Sequence, residues 1–168
     1  MDICYRWIDS PTGRLLLVAD ESGLREVVFE AGRTPPRVDA SWLCDGESLL
    51  EPVRQLRAFF AGELRSFDLT LKPEGTAFQK RVWETLCEIP FGETISYGEL
   101  ARRIGNPAAS RAVGLANGTN PLPIIVPCHR VIGSNGKLTG YGGGLENKRW
   151  LLDFERRQGR FGFGPDVG

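Results

Sequence analysis

The fold and the chemistry of this chain are organised around one segment, Ile124-Ile125-Val126-Pro127-Cys128-His129-Arg130-Val131-Ile132. Its short length and β-branched residues predict a buried strand. Pro127 fixes φ and removes a backbone donor, which stiffens the chain just before Cys128. His129, the only histidine, follows that cysteine directly. Because a nearby histidine can lower a cysteine pKa by ~1–5 units, the segment predicts a nucleophilic thiol.

The Cys128–His129 pair alone leaves a second interpretation equally open. Free cysteine is usually buried and unreactive, so Cys128 also fits a small core residue. Neighbouring side chains of a strand point to opposite faces, which would keep this thiol and imidazole from bonding directly. A bridging water or a tight turn would then be needed to connect them.

The composition predicts a soluble, cytoplasmic protein with one domain or two small ones. The chain has 168 residues, of which 41% are hydrophobic and 25% charged, and this is enough for a sizeable core. No apolar run approaches the ~20 residues of a membrane span, and no signal-peptide pattern opens the sequence. The four cysteines lack CxxC spacing and are expected to be free thiols. With a single histidine and no paired cysteines, we expect no metal and no cofactor.

The net charge is zero, but the charges are unevenly distributed. Residues 1–76 contain 9 Lys+Arg against 13 Asp+Glu, whereas residues 77–168 contain 12 against 8. The half with the Cys-His pair is therefore the basic half, which weakly favours an anionic partner there.

Residues 1–71 predict a small α+β domain. Three strands are expected, at 3–8, 14–19 and 24–29. Short glycine turns between them favour an antiparallel meander, and residues 31–46 are expected to form a loop. From Ser48, apolar residues recur at helical spacing until Gly62, which predicts the helix end, and residues 68–71 predict a short strand. Because no chemical motif is visible in this half, we expect it to support the other.

Residues 72–75 form the predicted linker to a second domain over 76–157, and the glycine-rich residues 158–168 are expected to be a flexible tail. Thr76 is expected to cap a helix whose apolar face is Phe78, Val82, Leu86 and Ile89, with Trp83 in the core. A last helix is expected to bury Leu145, Trp150, Leu151, Leu152 and Phe154.

Two capped segments on either side of Gly105 predict a helix-turn-helix. Ser96-Tyr97-Gly98-Glu99 fits a capping box, in which Ser96 is the N-cap and Glu99 reaches back to it. Asn106-Pro107 fits the N-cap and first position of a second helix that runs to about Asn117. Helix, glycine turn and capped helix is typical of this unit, but many proteins with it bind no DNA.

The second of these helices is rich in small residues and has one arginine, Arg111. Base-edge readout uses several Arg, Asn or Gln side chains, which this helix lacks. Small residues let the backbone approach a partner closely, and a single arginine can act as an inserted probe. The pattern therefore favours sequence-neutral binding, as in minor-groove and base-flipping proteins. The alternative is a helix packed in the core, with Arg111 on its solvent-exposed face.

A glycine-rich segment, Gly140-Tyr141-Gly142-Gly143-Gly144, follows the Cys-His segment. It matches neither a P-loop nor a dinucleotide fingerprint. It could present backbone N–H groups to a flat ligand with Tyr141 against the ligand's face, or it could be a mobile loop.

Pro127-Cys128-His129-Arg130 resembles the active-site signature of the O6-alkylguanine-DNA alkyltransferases. The resemblance covers about residues 76–156 through several motifs in the same order. They are Gly92-Glu93-Thr94-Ile95-Ser96-Tyr97, Ser110-Arg111-Ala112-Val113-Gly114, Asn120-Pro121 and Tyr141-Gly142-Gly143-Gly144. It implies an α+β fold with an N-terminal ribonuclease-H-like sheet-plus-helix domain. The C-terminal domain would be mostly helical and carry a winged helix-turn-helix-like DNA-binding unit.

The resemblance implies direct DNA repair by irreversible, stoichiometric transfer of the alkyl group from O6-alkylguanine, and O4-alkylthymine, in duplex DNA. The base would be flipped out through the minor groove, and each protein would act once. Cys128 would accept the alkyl group, and His129 would act as base through a water, oriented by Glu155. Asn120 would tie the turn before the active-site segment, and Tyr97 would donate to the departing guanine.

The resemblance also implies a set of DNA-binding and base-binding residues. Arg111 would enter the duplex and fill the place of the flipped nucleotide. The other implied DNA-binding residues are Ser96, Ala112, Gly114 and Asn117. Tyr141 would pack on the base, and the carbonyls of Cys128 and Val131 would accept from its exocyclic amine. The remaining implied substrate contacts are Gly142, Gly143 and Pro123, with Gly142 standing where some relatives carry serine.

The expected partner is double-stranded DNA containing alkylated guanine, bound by a protein that is a monomer in solution; cooperative binding on DNA is left open. Family members that bind zinc use Cys and His in the N-terminal half, where this chain has no histidine, so no metal is expected. Three rivals remain. They are a lesion-sensing binder, against which Cys128 argues, a cysteine hydrolase, and a transcription factor that uses the helix-turn-helix alone.

Overall fold

A four-stranded sheet forms the N-terminal part of the chain, in a computed structural model that describes residues 2–161, and the side chains up to residue 159. The strands are β1 (Cys4–Ile8), β2 (Leu15–Asp20), β3 (Gly23–Phe29) and β4 (Leu43–Cys44), in the order β3-β2-β1-β4. The antiparallel meander of the first three strands is confirmed. The two-residue β4, parallel to β1, lies in the segment predicted as a loop.

The apolar run of β2 explains its central position, since all six of its residues are buried. Helix α1 (Leu50–Phe60) buries Val53, Leu56 and Phe59 in the same core, and it ends before Gly62, whose φ is +79°. The strand predicted at 68–71 is wrong except for a single bridge between Leu24 and Leu71. The backbone of Asp68 is instead bonded through both its N–H and its carbonyl to the side-chain amide of Gln55.

The C-terminal part contains four helices and a small parallel ladder among the described residues. They are α2 (Ala77–Leu86), β5 (Ile95–Ser96), α3 (Tyr97–Arg103), α4 (Ser110–Gly118), β6 (Val131–Ile132) and α5 (Leu145–Phe161). The cap at Thr76 is confirmed as a full capping box with Gln79. The mixed α+β fold is confirmed, whereas the domain boundaries at 71 and 76 stay a prediction.

The predicted helix-turn-helix is confirmed as α3 and α4, with Gly105 at φ +84° between them. Its caps differ from the prediction. Ser96 Oγ accepts from the backbone N–H of Glu99 at 3.0 Å, but the Glu99 carboxylate pairs with two arginines of α3 instead of closing the box. Asn106 makes no side-chain cap, because residues Pro107–Ala109 form a separate 3-10 turn and α4 begins only at Ser110.

Several predicted core positions are corrected by their exposure. Trp83 is in the core, with its indole N–H bonded to the Ala116 carbonyl, but Phe78 is 37% exposed and Leu145 is 45% exposed. Helix α5 extends to Phe161, into the segment predicted as a flexible tail over 158–168. That tail stays a prediction, and residues 162–168 lie outside the described part of the chain. No helix in residues 2–161 is long and apolar enough to span a membrane.

Candidate active site

The segment around Cys128 is a compact corner, and the prediction of a buried strand over it is wrong. Residues Cys128–Arg130 form a 3-10 turn, and only Val131–Ile132 is a strand. Pro127 has φ −80° and ψ +63°, and the N–H of Cys128 bonds to the carbonyl of Val126 at 2.8 Å, which is an inverse γ-turn. The fixed proline φ that the sequence revealed therefore bends the chain here.

Asn120 holds the turn that leads into this corner. Its side-chain N–H donates to the Val126 carbonyl at 2.8 Å, and its side-chain oxygen accepts from the Leu122 N–H at 2.9 Å. The turn also forces the buried Ile124 to φ +75°, a conformation that costs a β-branched residue roughly 1–3 kcal/mol. The amide of Asn120 offsets this strain by pairing two backbone groups that a turn leaves without partners.

Cys128 lies at the start of the 3-10 turn with only 4% of its surface exposed. Burial raises the pKa of its thiol to about 11, although the Asn120 amide and the charge of Lys148 act in the opposite direction. The thiol is therefore protonated at neutral pH, and its reaction as a nucleophile requires a base.

His129, the residue predicted to act as that base, is completely buried beside the cysteine. Its Nε2 lies 2.7 Å from Glu155 Oε2, and Glu155 extends from α5 with 1% exposure. Arg130 donates to both oxygens of the same carboxylate at 2.9 Å and to the Ile89 carbonyl at 2.7 Å. The N–H of Gly92 completes the set of donors around Glu155 at 3.1 Å.

This arrangement fixes the protonation of the imidazole. Burial opposes ionisation of Glu155, but the contacts with His129 and Arg130 outweigh it and lower the pKa of the carboxyl to about 2. Burial lowers the pKa of His129 itself, so the ring is neutral at neutral pH. An ionised carboxylate accepts from Nε2–H, which leaves Nδ1 as the basic nitrogen. Nδ1 is buried and forms no hydrogen bond with any described residue.

A cavity of about 320 Å³ contains Cys128 in its wall. The lining residues are 26–29, Thr34, 117–121, Pro123, Cys128 and 140–143. Tyr141 stands in this wall with its ring edge-on to Phe29, at 5.7 Å between centroids, and its hydroxyl has no partner in the described part of the chain. The N-terminal half, expected only to support, thus supplies β3 and Thr34 to the cavity, and β3 is bonded to the site's turn from Val27 N–H to Pro121 O.

A larger groove of about 780 Å³ lies next to the cavity. Its lining residues are Arg33, Thr34, Tyr97, Ser110, Arg111, Gly114, Leu115, Gly118, Thr119, Thr139, Gly140 and Gly142. Five of these also line the cavity: Thr34, Gly118, Thr119, Gly140 and Gly142. The groove beside α4 is therefore continuous with the space that reaches the thiol.

The predicted DNA-binding residues lie in different surroundings. Arg111 and Gly114 line the groove, and Ala112 is exposed on the same helix. Ser96 is half-buried and caps α3. Asn117 is 4% exposed and donates weakly to the Cys128 carbonyl at 3.4 Å, and its contact with the duplex stays a prediction.

The predicted substrate-binding residues are also divided. Tyr141, Gly142, Gly143 and Pro123 line the cavity, and their contacts with a base stay a prediction. Val131 does not line it. Tyr97 lines the groove, and its hydroxyl is hydrogen-bonded to the Thr139 hydroxyl. It does not line the thiol cavity.

Two site residues escape prediction from the sequence. Arg130 belongs to the Cys-His segment, but the pattern indicates no role for it, although it holds the Glu155 carboxylate. Lys148 is completely buried and donates to the Val131 carbonyl at 2.7 Å and to the Thr139 carbonyl at 3.4 Å. No signal in the sequence separates Lys148 from the solvated lysines of other helices.

Within residues 2–161, no group of three or more His, Cys, Asp or Glu side chains is placed to hold a metal ion.

Comparisons with known proteins agree with this geometry. The family model of the 6-O-methylguanine DNA methyltransferase ribonuclease-like domain matches residues 3–73, and that of the DNA-binding domain matches residues 77–157. A methylated-DNA–protein-cysteine methyltransferase of Methanosarcina acetivorans is 59% identical over 151 residues, which are 90% of this chain and 97% of that protein. The chain belongs to the 6-O-methylguanine DNA methyltransferase family.

A solved relative gives the same result in three dimensions. The crystal structure of Mycobacterium tuberculosis OGT in complex with DNA matches with a TM-score of 0.85 at 52% identity, covering 92% of this chain and 94% of that one. A methyltransferase of the same organism is 55% identical over 155 residues, covering 92% of this chain and 93% of that protein. The family and the ribonuclease-like fold of the N-terminal half are confirmed, as is the prediction that the chain is a methylated-DNA–protein-cysteine methyltransferase.

Proposed function

We propose that this chain repairs duplex DNA by moving the alkyl group of O6-alkylguanine irreversibly onto Cys128. The single observation that carries the proposal is a buried thiol in a base-sized cavity, backed by a neutral imidazole that a carboxylate orients. The Mycobacterium tuberculosis relative is solved in complex with DNA, which supports DNA as the partner, and we propose that this chain binds it as a duplex. O4-alkylthymine carries the same kind of O-alkyl bond and is a second substrate. The protein is a monomer in solution.

The target nucleotide must leave the base stack to reach the thiol. Cys128 is 4% exposed at the inner wall of the cavity, where a stacked base could not approach it. The groove beside α4 gives the entry, because it opens into the cavity through shared residues. Arg111 is exposed on the groove side of α4 and would occupy the space that the extruded nucleotide vacates, which offsets part of an unstacking cost of a few kcal/mol.

The reaction is a single displacement at the alkyl carbon. His129 Nδ1 takes the thiol proton of Cys128 through a water, and the resulting imidazolium is stabilised by the ionised Glu155. Sulfur attacks the alkyl carbon, the carbon–O6 bond breaks, and its electron pair goes to the guanine. Tyr97 hydrogen-bonds to the base as it departs, which makes the guanine a better leaving group. A thioether has no leaving group that water displaces, so each protein acts once.

The cavity explains how the base would be held against the thiol. Tyr141 presents its ring to the cavity, and its orphan hydroxyl is a polar group available to a bound base. The exposed Gly142 offers its backbone N–H to the O6 side. The carbonyls of Cys128 and Val131 are the acceptors proposed for the exocyclic amine, although Val131 does not line the cavity. The Cys128 carbonyl already accepts from the Val131 N–H and from Asn117, and the Val131 carbonyl accepts from Lys148, so the amine would share these oxygens with the donors already present.

The decisive experiment is an intact mass after mixing the protein with a duplex that carries one O6-methylguanine, followed by peptide mapping. We expect one added methyl group, on Cys128, and no further addition with excess DNA. The Cys128→Ser variant should bind the duplex without any mass change. A duplex with O4-methylthymine tests the second substrate in the same way.

Each contrary result would indicate a different function for this protein. An unchanged mass with retained DNA binding would indicate a lesion-sensing binder. An unchanged mass without DNA binding would exclude repair and return the Cys128–His129 pair to the hydrolase alternative. Methylation of the exposed Cys44 in place of Cys128 would show that burial, and not activation, determines which thiol reacts.

A further inference from the structure

The loop that follows β3 forms part of the groove beside Arg111, although it belongs to the N-terminal half. The backbone N–H of Arg33 donates to the Gly142 carbonyl at 2.8 Å. A Cβ atom on Gly32 would lie 2.8 Å from the same carbonyl, so only glycine allows this close approach. The loop is thus fixed by backbone contacts against the glycine-rich wall of the thiol cavity.

The side chain of Arg33 extends along that wall. A Cβ atom at Gly140 would lie 3.4 Å from one of its guanidinium nitrogens, and both residues line the groove. Thr34, the next residue, lines the groove and the cavity alike. Arg33 therefore stands beside the opening through which an extruded nucleotide would pass.

The groove is positively charged. It is lined by two arginines, Arg33 and Arg111, and by hydroxyl side chains, but by no carboxylate among the described residues. Within the same part of the chain neither arginine takes part in an ion pair, whereas Arg14, Arg25 and Arg54 of the N-terminal half do. An unpaired guanidinium in such a groove suits a phosphate, which it binds with two parallel N–H donors.

We propose that Arg33 binds the DNA phosphate next to the extruded nucleotide, so that the N-terminal half takes part in DNA binding. This inference rests on the proposed function, because it is the entry of a nucleotide into the cavity that brings its phosphate to the opening. Arg111 lies within the duplex in this arrangement, and Arg33 holds the backbone outside it. The two arginines have separate roles in one groove.

The test measures duplex affinity over a series of salt concentrations for wild type, Arg33→Ala, Arg33→Lys and Arg57→Ala. Arg57 is an exposed arginine of α1 outside the groove and serves as the matched control. Loss of one phosphate contact should reduce the slope of log K against log salt by about 0.9 and weaken binding by about 3- to 10-fold. Arg33→Lys should keep most of the slope, and Arg57→Ala should keep all of it.

Transfer from free O6-benzylguanine, which has no phosphate, separates this inference from the repair function. In the Arg33→Ala variant, Cys128 should accept the benzyl group from the free base at the wild-type rate. That result would also show that the thiol cavity of the variant is folded. A wild-type salt slope for Arg33→Ala would overturn the role of Arg33 while leaving repair intact. A wild-type protein that fails to become methylated by duplex DNA would overturn both proposals.

Discussion

His129 Nε2 lies 2.7 Å from Glu155 Oε2, and neither side chain is exposed to solvent. The carboxylate comes from α5, 26 residues further along the chain, and Arg130 keeps it ionised by donating to both of its oxygens. The direction of this bond decides the chemistry. With Nε2–H directed to Glu155, the nitrogen that remains to accept a proton is Nδ1.

Glu155→Gln should therefore slow methyl transfer by about 10²- to 10⁴-fold, measured as a single-turnover rate on duplex with O6-methylguanine. The amide can donate to Nε2, which would place the ring proton on Nδ1 and remove the base. Glu146→Gln, on the exposed first turn of the same helix, is the control and should react like wild type. An equal rate for both variants would remove the role of the carboxylate.

The pKa of Cys128, raised by burial to about 11, predicts an unusual pH dependence. A small alkylating agent such as iodoacetamide reacts with thiolate, so labelling of Cys128 should rise about tenfold per pH unit from neutral pH and level off near its pKa. The exposed Cys44 should be labelled first at neutral pH. Methyl transfer from DNA should not follow this profile, since His129 removes the proton. Peptide mapping after timed labelling measures both thiols together.

Lys148 should lower the pKa of the Cys128 thiol. Its buried ammonium lowers the pKa of Cys128 and bonds to the carbonyls of Val131 and Thr139. Lys148→Met should shift the alkaline labelling profile of Cys128 to higher pH and lower the free energy of unfolding by about 1–3 kcal/mol, because buried carbonyls lose their donor. Lys148→Arg keeps the charge and should restore the profile. An unshifted profile in Lys148→Met would show that the charge does not reach the thiol.

Adjacent glycines of the cavity wall provide a matched pair of variants. A Cβ atom on Gly143 would lie 2.7 Å from the ring of the buried Phe29, whereas a Cβ atom on Gly142 would meet nothing within 4 Å. Gly143→Ala should therefore lower the free energy of unfolding by about 1–3 kcal/mol through overpacking, while Gly142→Ala changes it little. Thermal unfolding measures both. A tolerated Gly143→Ala would show that Phe29 can move away from the wall.

Local patterns in the sequence were reliable where one short stretch contained all the information. The run of β2, the helix cap at Thr76 and the glycine between α3 and α4 all form as predicted. The prediction of a strand from Ile124 is wrong because it rests on the apolar residues alone, whereas Pro127 and the side chain of Asn120 impose turns. Periodicity contains no information on side-chain bonds to the backbone.

The candidate site likewise contains parts that the sequence predicts and parts that depend on tertiary packing. Only the resemblance to a family predicts Cys128, His129 and Glu155 as one unit, because the 26 residues between His129 and Glu155 give no indication of a contact. The wall that β3 gives to the cavity could not be predicted at all. It depends on the bond from Val27 to Pro121, which joins the two halves of the chain through tertiary packing.

Arg111→Ala offers the sharpest separation of base extrusion from chemistry. Arg111 lies in the groove and does not line the thiol cavity, so its loss should not disturb Cys128 or His129. Methyl transfer from duplex DNA should fall by about 10-fold or more, because an unfilled gap leaves the cost of unstacking without compensation. Transfer from free O6-benzylguanine should keep the wild-type rate. Equal losses on the two substrates would place Arg111 in the chemistry or the fold, and equal retention would exclude its insertion into the duplex.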